Sequence, residues 1–459
     1  MIVIFMCGGI DMIIKKIVIE NLYGQHGTKE VIFDKKVTFL FGSNGCGKTT
    51  VLNILTAIVT GKLYILTEYN FDRINLFYSD EKEKEEKIQI AIIPEKNNNK
   101  VMMVCFNNQY FEIEDVENLK ERIYRKNEDE SIERTFFNMY PFLENIKKKF
   151  NYVYLPLNRY GYDDLGEREN YYYEYSRRRY YYGKQSNAHN SYLNDSLKYI
   201  SALIRRNCMK INVQENRVND QFRKDVLSSM IRVSGDKHLW EIVSEIEKEK
   251  FDWNEVLKSK EAYIKTLIEI GVYDKKLEED TEGFFKSFKN AYDAYVKKIK
   301  DSNGITVDLA WQYAEFQKIR SIAELAKENE KVKEKIRKPK KLFEDLINDF
   351  FLSSGTHKKI IVNNEGQVMF ETRYGKLSLE NLSSGEKQLI ITFASLIFGF
   401  EGRGTGIFII DEPEASLHLE WQNKFVPAIM KTNENLQLIF ATHSPEIIGE
   451  YRNKAFRLR

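Results

Sequence analysis

Cysteine and histidine are scarce in this chain, at 4 and 6 of 459 residues. Cys7, Cys46, Cys105 and Cys208 show no paired spacing, and the histidines form no H-x-x-x-H or Cys/His cluster. These absences exclude a disulfide scaffold and a zinc site, and they fit a reducing cytoplasm. Long apolar runs are missing as well. Residues 1–10 are apolar but have no leading basic region and no cleavage pattern, and Lys15 and Lys16 interrupt the next apolar stretch. Neither a membrane span nor a signal peptide is expected, and Met12 reads as the working start, with 1–11 either a disordered extension or not part of the translated protein. Charge of one sign is also lacking: 70 Lys and Arg against 68 Asp and Glu leave a net +2, too little for binding nucleic acid over the whole surface. The length allows two or three domain-sized units, and 42% hydrophobic residues is ordinary for a globular chain.

What is present begins with Gly42-Ser43-Asn44-Gly45-Cys46-Gly47-Lys48-Thr49, a match to G-x-x-x-x-G-K-[ST]. The apolar run Val37-Thr38-Phe39-Leu40-Phe41 precedes it, and an apolar helix is expected over Thr50–Val59. That context predicts a phosphate loop. Its glycines let backbone N–H groups turn inward, the helix start adds its positive dipole end, Lys48 spans the β- and γ-phosphates, and the Thr49 hydroxyl takes a Mg²⁺ position, with Thr50 in the same binding set. A second buried-strand run, Ile407 to Ile410, ends in Asp411 and Glu412. Adjacent carboxylates at a strand end are costly unless a cation sits there, so Asp411 is expected to hold the metal and Glu412 to polarise the attacking water. A third run, Leu436 to Ala441, delivers His443, placed to hydrogen-bond a γ-phosphate. ATP and Mg²⁺ are the cofactors this set implies.

Taken in order, the phosphate loop, Leu382-Ser383-Ser384-Gly385-Glu386, the strand ending in Asp411-Glu412, the turn Glu414-Ala415-Ser416-Leu417-His418 and Ala441-Thr442-His443-Ser444-Pro445 resemble the ABC-type ATPases, most of all their SMC, RecF and OLD branch. The resemblance implies an α/β fold: an ABC-type ATPase head, a mixed sheet with flanking helices whose N- and C-terminal halves fold together. It also implies that the signature serves a partner's site, Ser383 and the Gly385 N–H reaching the γ-phosphate held by the other protomer's Lys48, so a homodimer or higher even-numbered oligomer is expected. Ser384 and Glu386, counted with them as nucleotide-contacting residues, stand where transporter subunits carry Gly and Gln, which leans away from membrane transport. Leu419 follows His418 where the pattern often shows His-Pro, and Leu155-Pro156-Leu157-Asn158 offers no Gln for a Q-loop. OLD-type nucleases continue into a Toprim domain after the histidine strand; this sequence runs only from 444 to 459 there, so no nuclease centre is expected in it. Within the branch the chain is most similar to the ATPase subunits of Septu anti-phage systems. That implies an ATPase that controls a separate HNH endonuclease through its nucleotide state, with DNA contacted directly or through the partner. A RecF/SMC-like repair ATPase that binds DNA itself, and an ATP-gated scaffold with incidental turnover, are the alternatives.

The separation of Lys48 and Ser383, 335 positions (383 − 48), demands an insertion. From Ser191 to about Lys338, apolar residues recur every three or four positions, as in Val218, Phe222, Val226, Met230 and Val233, and in Leu309, Phe316, Ile319, Ala323 and Ala326. Gly235, Gly271, Gly283 and Gly304 are expected to break this into several short helices, and Pro339 to close it. The organisation expected is an N-terminal ATPase half over 12–158, a Tyr/Arg-rich segment over 159–190, a helical insertion over 191–339 and a C-terminal half over 340–459. Between Arg159 and Tyr182, nine Tyr surround Arg168, Arg177, Arg178 and Arg179. Such a composition suits stacked bases and phosphates, or a loop that orders on a partner protein. The basic stretch Lys327–Lys341 reads as a solvated helix face.

Overall fold

The computed structural model describes residues 12–80, 84–94, 100–113, 132–155, 188–231, 239–248, 252–298, 305–400 and 406–458. The extension 1–11 and nearly all of the Tyr/Arg-rich segment, including Tyr171 to Tyr182, lie outside them. In chain order the elements are β1 (Ile13–Glu20), β2 (Thr28–Ile32), β3 (Val37–Phe41), α1 (Lys48–Val59), β4 (Arg73–Ser79), β5 (Glu85–Pro94), β6 (Lys100–Phe106), β7 (Gln109–Ile113), α2 (Ile132–Met139), α3 (Phe142–Lys149), β8 (Tyr152–Leu155), α4 (Ala188–Ile231), α5 (Leu239–Lys248), α6 (Trp253–Ile270), α7 (Lys275–Lys298), α8 (Val307–Ser353), β9 (Lys359–Val362), β10 (Val368–Thr372), β11 (Gly375–Leu377), α9 (Ser384–Phe398), β12 (Gly406–Asp411), α10 (Leu419–Thr432), β13 (Leu436–Thr442), α11 (Pro445–Ile448) and β14 (Ala455–Arg457). Two units emerge, one formed by 1–207 with 339–459 and the other by 208–338.

The first unit holds the sheet that matters for the site. Its order is β14-β3-β13-β12-β8, every pairing is parallel, and strands from both ends of the sequence are interleaved in it. Strands covered on both faces read as unbroken apolar runs, and β13 is buried at all seven positions. The register aligns Thr442 with Phe41 and Asp411 with Ala441, so β3, β13 and β12 end level with one another. In an open parallel sheet, that carboxyl edge is where ligands collect. A separate antiparallel sheet, β2-β1-β4-β5-β6-β7, alternates buried and solvent-facing positions, with Ile14, Ile17 and Ile19 of β1 inside. A third, β11-β10-β9, has three strands.

One polar residue ties the two larger sheets together. The pairing of β1 with β4 slips between Ile14 and Lys16, and the pairing of β1 with β2 begins only at Lys16. Gln437, buried in β13, takes both backbone groups of Ile14: Ile14 N–H donates to its Oε1 at 2.8 Å, and its Nε2 donates to Ile14 O at 2.7 Å and to Asp34 O at 2.9 Å. An apolar residue at 437 would strand these three groups, at roughly 1–3 kcal/mol each.

The second unit packs Ile242, Ile246, Val256, Phe285, Phe288, Leu309, Tyr313 and Phe316 into a core of its own. Asp252 caps α6 by accepting from Asn254 N–H at 2.9 Å, and Gly271 ends it at φ +79°. Of the expected helix breaks, Gly271 is one, Gly235 and Gly304 lie outside the described residues, and Gly283 sits inside α7. Pro339 does not close the run either, because α8 continues through it to Ser353. A proline removes a single hydrogen bond, whereas Phe343, Ile347, Phe350 and Phe351 beyond it are buried and hold the helix on course. The basic stretch on α8 is less solvated than expected. Lys333 is 6% exposed and pairs with Glu269 at 3.7 Å, while Arg337 pairs with Glu215.

Candidate active site at the carboxyl edge of the parallel sheet

Between β3 and α1 the chain must turn tightly enough to aim its N–H groups inward, and Gly45 and Gly47 do so at φ +80° and +95°. Gly42 meets a different demand. A methyl group there would lie 2.7 Å from Cys46 Sγ and 2.9 Å from Leu458 O. Ser43, Asn44, Gly45 and Thr49 are exposed at the mouth of the loop, whereas Lys48 is 4% exposed. Its Nζ donates to Gly42 O at 3.0 Å and to Ser43 O at 3.1 Å, 3.9 Å from Cys46 Sγ, and lies 3.2 Å from His443 Nδ1. A cation resting on carbonyls at the mouth of an N–H cradle is poised to receive anionic oxygens.

His443 comes directly after the last residue of β13, and its ring bridges the loop to Glu412. Nδ1 is 2.9 Å from Gly42 O and Nε2 is 3.0 Å from Glu412 Oε1. The Glu412 carboxylate can only accept, so Nε2–H donates to it, while Nδ1 faces both a donor, Lys48 Nζ, and an acceptor, Gly42 O. Glu412 itself is in the left-handed region, φ +46° and ψ +59°, a conformation that costs a non-glycine residue about 1–3 kcal/mol. It points the carboxylate from the end of β12 towards His443.

Asp411 ends β12 at 2% exposure, and neither carboxylate oxygen has a hydrogen-bond partner among the described residues. Burial, with help from the charges of Glu412 and Glu414, pushes it from 3.8 up to about 6, while Thr49 and Lys48 oppose the rise. Thr49 is close enough to act, although its hydroxyl makes no well-formed bond to either oxygen. A buried acid with two unsatisfied oxygens is costly, and a divalent cation is the group that would satisfy it. Asp411 and Thr49 thus fit Mg²⁺.

The shift makes a testable statement about stability. Below about pH 4 the carboxyl is neutral in both states. Between 4 and 6 the unfolded chain has lost the proton and the native chain has kept it, so native stability falls as pH rises. Above 6 the full cost, roughly 3 kcal/mol for a shift of this size, persists. In chelator and without nucleotide, Asp411→Asn is therefore expected to melt above the parent at pH 8, with the gain shrinking towards pH 4.5. Differential scanning fluorimetry reads this directly, and a variant that melts at or below the parent at pH 8 contradicts it.

Residues outside the expected set also reach the loop. Lys29 on β2 donates to Cys46 O at 3.1 Å; Tyr23, left-handed at φ +57°, places its hydroxyl 3.3 Å from Thr50 Oγ1. Tyr154 on β8 donates to Asn53 Oδ1 on α1 at 2.9 Å, and burial, then the Asp411 charge, raises its phenol above the ordinary tyrosine range. None of these carries a motif, because each arrives from another strand or a neighbouring turn.

The signature sits apart. Ser383 is the N-cap of α9 and forms a capping box with Glu386: Glu386 N–H donates to Ser383 Oγ at 3.4 Å, and Ser383 N–H donates to Glu386 Oε2 at 2.8 Å. Lys358 adds an ion pair to the same carboxylate at 2.7 Å, and Glu386 is 3% exposed. The Glu386 side chain is therefore committed to the fold, while Ser383 and Ser384 face solvent over the buried Gly385. Among the described residues no hydrogen bond or ion pair joins the signature to the phosphate loop of the same chain.

The chain belongs to the family described as "AAA domain, putative AbiEii toxin, Type IV TA system", whose model matches residues 37–449. Two relatives match shorter stretches. Retron Ec83 probable ATPase of Escherichia coli is 36% identical over 80 residues, 16% of this chain and 15% of that protein. Septu protein PtuA of Bacillus thuringiensis is 32% identical over 92 residues, 18% of this chain and 23% of that protein. The chain thus aligns with less than a quarter of the length of these relatives. A superposition on the Smc head domain with an extended coiled coil of Pyrococcus furiosus covers 98% of this chain and 94% of that one, at 12% identity and a TM-score of 0.39. The resemblance to ABC-type ATPases, the Septu protein among them, stands, and so does the fold class: α/β with a mostly helical insertion. Among the described residues, no helix is long and apolar enough to cross a membrane.

Proposed function

We propose that the chain is the ATP-binding and ATP-hydrolysing subunit of a bacterial anti-phage defence complex, working in the cytoplasm, and that its nucleotide state controls a separate HNH endonuclease. The observation that carries the nucleotide reading is the buried, unpartnered Asp411 carboxylate, under the influence of the Lys48 charge and level with the ends of β3 and β13. Gly42 to Thr50 bind the phosphates, Lys48 leaving its carbonyls for their oxygens. Mg²⁺, held by Thr49 and Asp411, supplies charge neutralisation on the phosphates. Glu412 takes the proton of the attacking water, and the His443 Nε2–H that holds this carboxylate without nucleotide turns to the γ-phosphate when ATP is bound. The exposed Ser383 hydroxyl, still free to donate after its oxygen accepts from Glu386, and the Gly385 N–H complete the site of a second copy, which makes the working unit a homodimer or a larger even-numbered assembly. The defence role rests on the Septu and retron relatives.

The test looks for an HNH reading frame beside the gene of this chain and takes the purified chain alone and with that nuclease; a neighbourhood without one contradicts the partner half of the reading. Alone, the chain is expected to hydrolyse ATP and leave DNA intact; with the nuclease, cleavage is expected to differ between ATP-loaded and nucleotide-free complexes. DNA cutting by the chain alone, or cutting indifferent to nucleotide, contradicts the reading.

A further inference from the structure

Glu414 lies in the turn Pro413–Ser416, just after β12, and its Oε1 collects three donors from the end of β13: Thr442 Oγ1 at 2.7 Å, His443 N–H at 2.6 Å and Ser444 N–H at 3.1 Å. Its other oxygen, Oε2, is buried with no partner among the described residues. One carboxylate thereby clasps two strand ends 28 to 30 positions apart. The residue in the middle of the clasp is His443, which β13 itself no longer holds, since that strand stops at Thr442.

We infer that Glu414 is a positioning residue for the nucleotide site, an inference that rests on the function proposed above. By fixing the peptide from 442 to 444, it sets the His443 ring so that Nδ1 meets Lys48 and Nε2 meets Glu412. It touches no reacting atom. What the clasp requires is an acceptor oxygen at the end of a side chain of this length, since all three donors meet the one oxygen Oε1. Glutamine supplies the oxygen without the charge. The two acids that flank Pro413 should therefore answer the same substitution in opposite ways, Glu412 through loss of a base and Glu414 through little more than a weaker acceptor.

The experiment compares the full-length parent, Glu414→Gln and Glu414→Ala by kcat, by affinity for a fluorescent ATP analogue, and by the ¹⁵N signals of His443 without nucleotide, assigned by their loss in His443→Gln. Glu414→Ala is expected to lower kcat about a hundredfold, as misplacement of a catalytic group does, and to move the His443 signals away from those of the parent. Analogue affinity is expected to stay within about threefold, the split that separates positioning from general damage. Glu414→Gln is expected to retain about a tenth or more of the parent kcat and to keep the parent's His443 signals. Should Glu414→Ala not fold, Glu414→Met fills the volume without an acceptor and takes its place. An alanine or methionine variant with parent kcat and parent His443 signals overturns the inference, and so does a glutamine variant that falls as far as alanine. If the parent hydrolyses no ATP, the proposed function fails on its own. The His443 signals then decide this inference: disturbed by alanine and kept by glutamine they support it, and unmoved by alanine they overturn it.

Discussion

Glu412→Gln is expected to leave ATP bound and to slow its hydrolysis about 10²–10⁴-fold, the range that removal of a general base commonly costs. The amide has the shape of the carboxylate and can still accept from His443 Nε2, now 3.0 Å from Oε1, so the loop and the histidine bridge survive. What disappears is the proton acceptor. The left-handed backbone at 412 belongs to the residue and not to its charge, so the substituted side chain keeps its aim. Because ATP stays bound, the closed assembly is expected to accumulate, visible as an ATP-dependent rise in mass by light scattering. Turnover within a few-fold of the parent would remove Glu412 from the chemistry.

The second large effect concerns sharing of the site. Ser383→Arg places a bulky cation at the exposed N-cap of α9, where it is expected to abolish ATP-dependent association while each chain still binds ATP. Lys48→Ala, in contrast, removes a charge-assisted phosphate contact and with it most of the affinity. Each variant alone is expected to be inactive. In a mixed pair, one site faces a native Lys48 with a native Ser383 and the other carries both defects, so mixing the two is expected to restore part of the hydrolysis. Mixed dimers that form and recover nothing contradict a signature acting in trans through independent sites.

How much of this is legible in the sequence depends on the kind of contact involved. The parallel strands are buried on both faces and so appear as plain apolar runs, and Asp411, Glu412 and His443, at or just past their ends, stand out as polar residues after apolar ones. The spacing of Ser383 and Glu386 is that of a capping box, which already marks the acid as a structural partner of the serine. Gln437 reads in sequence as one polar residue in an apolar strand; its reason lies in the backbone of Ile14 in β1, more than four hundred positions away. Lys29 and Glu414 reach the site from a different sheet and a different turn, contacts that leave no local period. The expected helix breaks at Gly283 and Pro339 do not occur, for an energetic reason. Each residue weakens a helix locally, and α7 and α8 run through them because tertiary packing, not local propensity, supplies most helix stability.

The most direct measurement tracks phosphate release from ATP by the purified parent, in Mg²⁺ and in chelator, beside Glu412→Gln under the same conditions with bound nucleotide counted. The expected result is steady release by the parent that stops in chelator, and almost none from Glu412→Gln although it retains ATP. A parent that binds no ATP, or a Glu412→Gln chain that releases phosphate as fast as the parent, would contradict a hydrolytic nucleotide site at the ends of β3, β12 and β13.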